Sequence, residues 1–244
     1  MKSYSILSKF YDNLMKDFPY NKYLDYIMAN SNGKNCVDLF CGSGRMTVLL
    51  ASKGYSVQGV DCSPEMLNCA AIAAKESGQN IIFRQEKAEC FSYLQKLDLI
   101  TAVCDGINYL PLGRLNKLFC RIKEALATNG AFIFDISSHY KLTKVLSNNI
   151  FFEDNDNLTY IWRNSLTKNA GAVNMDISFF IKDGNNYIRG DEKHRQYCHT
   201  VTQLKKALVT AGLTVAELID GDTFKAAAPK SKRIIFLVKH KKYI

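Results

Sequence analysis

Apolar positions along this chain follow two rhythms, and the change between them marks out its elements. Short apolar runs recur at Cys36–Phe40, Tyr55–Val60, Ile81–Phe83, Leu97–Val103 and Ala131–Ile136. Runs of this length, bounded by turn residues, predict strands buried on both faces of a parallel sheet. Between them apolar residues return every three or four positions: Met46, Val48, Leu49 and Leu50, then Met66, Leu67, Ala70, Ala71 and Ala74, then Leu115, Leu118, Phe119, Ile122 and Leu126. That period predicts helices. The first begins after Gly44. The second starts at Ser63-Pro64, with serine as cap and proline in the first turn. The third covers 114–127 and is closed by Asn129-Gly130 in a left-handed cap. Leu24, Ile27 and Met28 predict one more helix over 20–30, closed near Gly33. Alternating strands and helices of this kind predict an α/β fold with a doubly wound sheet.

From Phe151 to Tyr197 the period shortens to two. Thr159–Ser165, Val173–Ile181 and Tyr187–Arg189 alternate apolar with polar, and Lys182-Asp-Gly-Asn-Asn186 is a hairpin signal. The expected organisation is an antiparallel β insertion over 150–197, a lid or dimer contact that holds substrate choice. It interrupts a domain made of 1–149 and 198–244. Trp162, Arg163, Asp176, His194, Arg195 and Tyr197 are its candidate pocket groups. Thr200-Val-Thr-Gln203 reads as a capping box opening a helix to Ala211. Leu213–Asp220 and Arg233–Lys239 read as the last strands, joined by a polar loop expected to be mobile.

The candidate chemistry sits at the strand ends. Gly42-Ser43-Gly44 follows the first strand and Asp61 ends the second, where an acid can accept from ribose hydroxyls. Asp38, just before the turn, would repel a pyrophosphate, and Thr47 stands where a dinucleotide fingerprint has its third glycine. Both disfavour an NAD-dependent reductase. S-adenosylmethionine (SAM) has no pyrophosphate and carries an ammonium and a sulfonium, so it suits the acids. Asp38-Leu-Phe-Cys-Gly-Ser-Gly44 with Val60-Asp61-Cys-Ser-Pro-Glu-Met66 resembles motifs I and II of class I SAM-dependent methyltransferases. The aromatic N-terminal segment around Phe10-Tyr11-Asp12 resembles that of small-molecule members, including sugar N-methyltransferases.

The resemblance implies a Rossmann-like seven-stranded mixed sheet whose last strand pair is antiparallel, with SAM as cofactor. It implies cofactor contacts from Tyr11, Asp38, Cys41, Gly42, Gly44, Asp61, Cys62 and Cys104. Met66 would pack on the adenine, and Glu86, preferred over Glu89, would accept from its amino group beside Lys87. Cys104-Asp105-Gly-Ile-Asn108-Tyr109 occupies the position where methyl group and acceptor meet. Asp105, Asn108, Tyr109 and His139 are the candidates for orienting the acceptor. Asp105 is not followed by Pro-Pro, which counts against methylation of base amino groups.

Composition adjusts this picture little. The net charge is +9, but residues 230–244 hold six of the basic residues and no acid; subtracting those six leaves +3. A solvated strand margin accounts for that tail, so a nucleic-acid partner is not expected. The eight cysteines form no C-x-x-C pair and read as small buried hydrophobes, with no metal site. No apolar run approaches a membrane span, and the start lacks a signal-like apolar region, so a cytoplasmic monomer or homodimer is expected. The reading is a methyltransferase acting on a small molecule at nitrogen or oxygen. Nitrogen is favoured because no base is plainly placed. A nucleic-acid methyltransferase and a non-catalytic SAM-binding regulator are the alternatives.

Overall fold

The computed structural model describes residues 15–241. Seven strands form one sheet: β1 (Asn35–Leu39), β2 (Ser56–Asp61), β3 (Ile82–Gln85), β4 (Leu97–Ala102), β5 (Leu126–Ser137), β10 (Leu213–Asp220) and β11 (Arg233–His240). Their order is β10-β11-β5-β4-β1-β2-β3. The first five strands pair in parallel, whereas β11 runs antiparallel to both β5 and β10. The expected mixed sheet with its antiparallel last pair is therefore present. Order reverses between β1 and β4, and that switch point is where a doubly wound sheet opens a crevice.

Helices α1 (Tyr20–Asn30), α2 (Arg45–Ser52), α3 (Pro64–Glu76), α4 (Leu112–Ala125) and α5 (Val201–Thr210) cover the faces. Alternation along β5 builds both sides of the core. Phe132, Phe134 and Ile136 join Leu115, Phe119, Leu204 and Leu208 beneath α4 and α5. Ala131 and Ile133 join Tyr23, Ile27, Met46 and Leu50 beneath α1 and α2. The predicted caps form. Ser63 Oγ accepts from the Met66 amide at 3.2 Å, and Thr200 makes a full capping box with Gln203.

Between β5 and α5 stands a second, four-stranded antiparallel sheet of β6 (Ile150–Asp154), β7 (Leu158–Leu166), β8 (Ala172–Asp183) and β9 (Asn186–Tyr197). Strand β6 went unpredicted because all five of its residues are exposed, which leaves no alternation of burial to read.

Two local expectations fail. Ala71 is exposed, so α3 buries a narrower stripe of Met66, Ala70 and Ala74. Gly130 does not cap α4: the helix ends at Ala125, and Leu126 turns directly into β5 to pair with Leu97. Gly130 is needed instead for close approach, since a Cβ there would lie 2.9 Å from the Leu97 carbonyl oxygen and 2.9 Å from Leu126. The loop after β10 is tied back onto α1, with Phe224 edge-on to Tyr23 at 5.4 Å and Asp220 accepting from the Asp222 and Thr223 amides.

Candidate active site

Non-glycine residues with left-handed backbone gather at two strand tips: Phe40 (φ 56°) after β1, and Cys104 (φ 60°) and Asp105 (φ 55°) after β4. Such conformations cost about 1–3 kcal/mol each and concentrate where a site needs them. Between these tips lies a cavity of about 480 Å³, bordered by Gly42, Asp61, Cys62, Met66, Glu86, Lys87 and Cys104. A recess of about 20 Å³ beside it is bordered by Asp38, Cys41, Gly42 and Cys104.

Asp38 is buried beneath the glycine turn and accepts from Thr47 Oγ1 at 2.6 Å and Thr101 Oγ1 at 2.7 Å. Burial pushes its carboxyl up to about 6, against the two hydroxyls and with a small contribution from Asp61. The Asp61 carboxylate is fixed by the amides of Gly42 at 3.0 Å and Ser63 at 2.9 Å, and burial raises it too. Both carboxylates are thus held by neutral groups. A buried negative field that, among the described residues, has no bonded cation favours a cationic ligand. That is the test SAM has to pass, and these residues fit it.

Of the remaining cofactor candidates, Tyr11 lies outside the described residues. Gly44 borders neither cavity. It starts α2 at φ +79°, and a Cβ on it would fall 2.8 Å from Ala70 Cβ, so its smallness serves helix packing. Glu86 gives one oxygen to the Ser92 amide at 2.7 Å. Glu89, ranked behind it from sequence, borders the same cavity. It pairs with Arg114 through Oε1 and keeps a buried Oε2 without a hydrogen-bond partner among the described residues.

A third cavity, about 200 Å³, lies between the strand tips and the inserted sheet. Asp105, Tyr109 and Lys141 border it from one side and Trp162, Met175, Phe179 and His194 from the other. Cys104 borders all three cavities.

The acceptor candidates separate here. Tyr109 and Asp105 reach the cavity, but Asp105 is committed. Its carboxylate meets Arg233 Nη1 at 2.8 Å and takes a hydrogen bond from Gln196 Nε2 at 2.5 Å, while its amide donates to Asp135 Oδ1 at 2.6 Å. Asp135 also accepts from the Tyr23 hydroxyl at 2.7 Å and from Arg233 at 3.1 Å. Arg233 is therefore buried, not part of a solvated margin. Burial works against its charge, and Asp135 and Asp105 outweigh that and hold it protonated.

Asn108 does not face the cavity. It is fully buried, and its amide is spent on Ser137 N and O and Tyr197 O at 3.0 Å each. It is a clamp between β5 and β9. His139 is exposed, because the chain turns after Ser137 and carries that ring to solvent. Lys141, two residues on, is the side chain that reaches the cavity. Burial lowers its pKa, and Arg233 lowers it further. In the insertion, Trp162 and His194 turn inward, whereas Arg163, Asp176 and Arg195 lie exposed on the other face. Tyr197 is half-buried beyond the cavity wall. Sequence reasoning missed Glu192, whose Oε2 meets His194 Nε2 at 3.0 Å. Its signal was present: Arg189, Asp191, Lys193 and Arg195 place charge at every second position, which sends their neighbours inward.

Comparison with known proteins agrees with this geometry. A family model described as a methyltransferase domain matches residues 36–130. A methyltransferase-family protein of Geobacillus sp. (strain WCH70) is 31% identical, over 97% of this chain and 99% of its own. The crystal structure of a SAM-dependent methyltransferase from Clostridium acetobutylicum ATCC 824 superposes with TM-score 0.89 at 33% identity, covering 98% of this chain and 99% of that one. A SAM-bound amino pentose methyltransferase from Micromonospora echinaspora shares the fold, with TM-score 0.74 at 13% identity over 97% and 98% of the two chains.

Proposed function

Because the chain belongs to the SAM-dependent methyltransferase family, we propose that it binds SAM and transfers the methyl group to a nitrogen or oxygen of a small molecule. The acceptor is held in the 200 Å³ cavity beneath the inserted sheet. One observation carries the reading: Cys104 borders the cofactor cavities and the acceptor cavity alike, so donor and acceptor meet at the tip of β4.

When bound, SAM supplies an electrophilic methyl on a good leaving group. The chain's own work is therefore placement and exclusion of water. Asp61 has lone pairs left for the ribose hydroxyls, and Asp38 supplies charge opposite the cationic part. Tyr109 and the strained Cys104–Asp105 backbone set the distance between the partners, and such alignment contributes several kcal/mol. Apolar walls from Trp162, Met175 and Phe179 keep water out.

A cavity of this size supports a small acceptor over a nucleic acid, as does the fold shared with an amino pentose methyltransferase. Eight free thiols support a reducing compartment, the cytoplasm. Among the described residues no helix is long and apolar enough to cross a membrane.

The test is incubation of purified protein with methyl-labelled SAM and a fractionated cell extract. Label is expected in the low-molecular-mass fraction and none in RNA or DNA. Calorimetry without SAM uptake, or label confined to nucleic acid, would overturn the proposal.

A further inference from the structure

The wall that closes the acceptor cavity carries polar groups that its packing does not require. Register sets its rows: Tyr160 faces Phe179, Trp162 faces Ile177 and then Glu192, and Asn164 faces Met175 and then His194. Directly paired residues share one face of a sheet, so Glu192, His194, Trp162 and Asn164 lie together among apolar neighbours.

His194 and Glu192 side chains are 2% and 0% exposed, and Nε2 lies 3.0 Å from the carboxylate. A buried ionisable pair is rarely the most stable filling for such a place. A carboxylate on one imidazole nitrogen fixes the tautomer and stabilises the imidazolium once a proton arrives. With Nε2 held by Glu192, proton acceptance falls to Nδ1. Among the described residues, the titratable groups around the ring are Glu192 from β9, Tyr109 and Asp105 from the tip of β4, Lys141 from the turn after β5, and Tyr160 from β7. The Tyr109 ring stands edge-on at 6.1 Å. A second observation is independent of the first. Among the described residues, Trp162 Nε1 is buried at the cavity wall without a hydrogen-bond partner; both amide atoms of Asn164 are orphaned as well, but Asn164 does not border the cavity. Buried polar groups are nearly always satisfied, so orphans beside a cavity point to a ligand's polar atoms.

We infer that the acceptor is a single-ring compound bearing a phenol-like hydroxyl. His194 is the base that takes the hydroxyl proton, Glu192 is the residue that positions it, and Trp162 Nε1 donates to a second polar group on the same ring. This rests on the methyltransferase reading of the cavity. A cavity of about 150 Å³ already holds benzene, so about 200 Å³ suits one substituted ring. A neutral amine attacks without a base, whereas a phenol, with a pKa near 10, is protonated at neutral pH and needs one. In the step, the O–H bond breaks and its proton goes to His194. The oxygen's electron pair forms the new bond to the methyl carbon, and the carbon–sulfur bond breaks with its pair left on sulfur. The products are the methyl ether and S-adenosylhomocysteine, and the imidazolium then yields its proton to solvent.

The full chain is assayed with methyl-labelled SAM and two probe sets: catechol, 3,4-dihydroxybenzoate and 4-nitrocatechol, against 3-aminobenzoate and benzylamine. Methylation of the hydroxyl probes is expected, with kcat rising with pH to a plateau. His194→Gln lowers kcat on catechol by about 10²–10⁴-fold and flattens the profile, while the acidic 4-nitrocatechol recovers most of the loss. Glu192→Gln gives a smaller loss of the same form. Trp162→Phe, which removes only the ring N–H and part of the ring, raises the acceptor KM at least tenfold and leaves the pH profile unchanged. A merely structural role predicts a lower Tm with the acceptor KM unchanged. Calorimetric SAM binding stays at the wild-type value in every variant, which separates failure here from failure of the methyltransferase reading. Amine probes methylated in place of hydroxyl probes would overturn the inference. So would intact SAM binding with no hydroxyl probe methylated, or an unchanged pH profile in His194→Gln.

Discussion

At the scale of single residues, charge placed out of water decides what the crevice can hold. Asp38 is buried and, among the described residues, supported by two threonine hydroxyls, and its pKa is pushed up to about 6. The folded value lies above the unfolded one near 3.8. Protonated Asp38 therefore supports folding most fully below that unfolded value, and the support is lost as pH rises through about 6. A bound cation shifts the balance towards the ionised form. SAM affinity should hence be full above pH 6 and weaken below it, approaching tenfold per pH unit. Calorimetry between pH 5 and 8 checks this. Asp38→Asn should bind weakly at every pH without the trend, and should leave the ligand-free Tm at pH 7.5 unchanged or higher. Asp38 and Asp61 were legible in the sequence because each follows a short apolar run and borders a turn. Glu192 was legible only through the alternating charges of its neighbours, and Arg233 was not, since a charged residue at the end of a polar stretch looks solvated until its partners are known. For Arg233 those partners, Asp105 and Asp135, lie about a hundred residues away in sequence.

At the scale of elements, what the sequence carried were periods and caps, and what it hid were long-range contacts. The capping box at Thr200 and the Ser63-Pro64 start involve neighbours in the chain, so the residues alone specify them. Gly130 shows the limit. Asn129-Gly130 has the chemistry of a left-handed cap, yet β5 begins at Leu126, because pairing with Leu97 extends the chain four residues before the glycine. The two accounts make different predictions for Gly130→Asn. A left-handed cap tolerates asparagine. A close approach to a carbonyl oxygen does not, and crowding of this kind costs about 1–3 kcal/mol. Gly130→Asn should therefore destabilise at least as much as Gly130→Ala, by roughly 2–10 °C in Tm by calorimetry. His139 and Lys141 repeat the lesson. Both follow a strand at its functional end, and only the path of the turn decides which one reaches the cavity.

At the scale of the whole molecule, Arg233 ties parts of both sheets to one point. Through Asp135 it reaches β5 and the Tyr23 hydroxyl on α1, and through Asp105 it reaches the tip of β4 and Gln196 on β9. The inserted sheet is thus fastened to the seven-stranded sheet at the tip of β4, beside the proposed site of methyl transfer. Asn108 adds a neutral clamp between Ser137 and Tyr197. Replacing Arg233 with methionine keeps most of the volume but leaves two carboxylates facing each other without a cation. Stranding buried charge in this way costs about 3–5 kcal/mol. For a chain of this length that corresponds to a fall of roughly 10 °C in Tm. If the loss is electrostatic, adding Asp135→Asn to Arg233→Met should recover part of it, although Asp135→Asn alone is destabilising, and the double-mutant cycle measures the coupling. Hydrogen exchange should locate the damage as well. Amides of β9 and of the β4 tip should exchange faster in Arg233→Met, while those of β2 and β3, which have no bond to the network, keep their protection. Equal loosening across the sheet would mean that Arg233 serves general packing and does not hold the cavities on the two sides of the β4 tip in register.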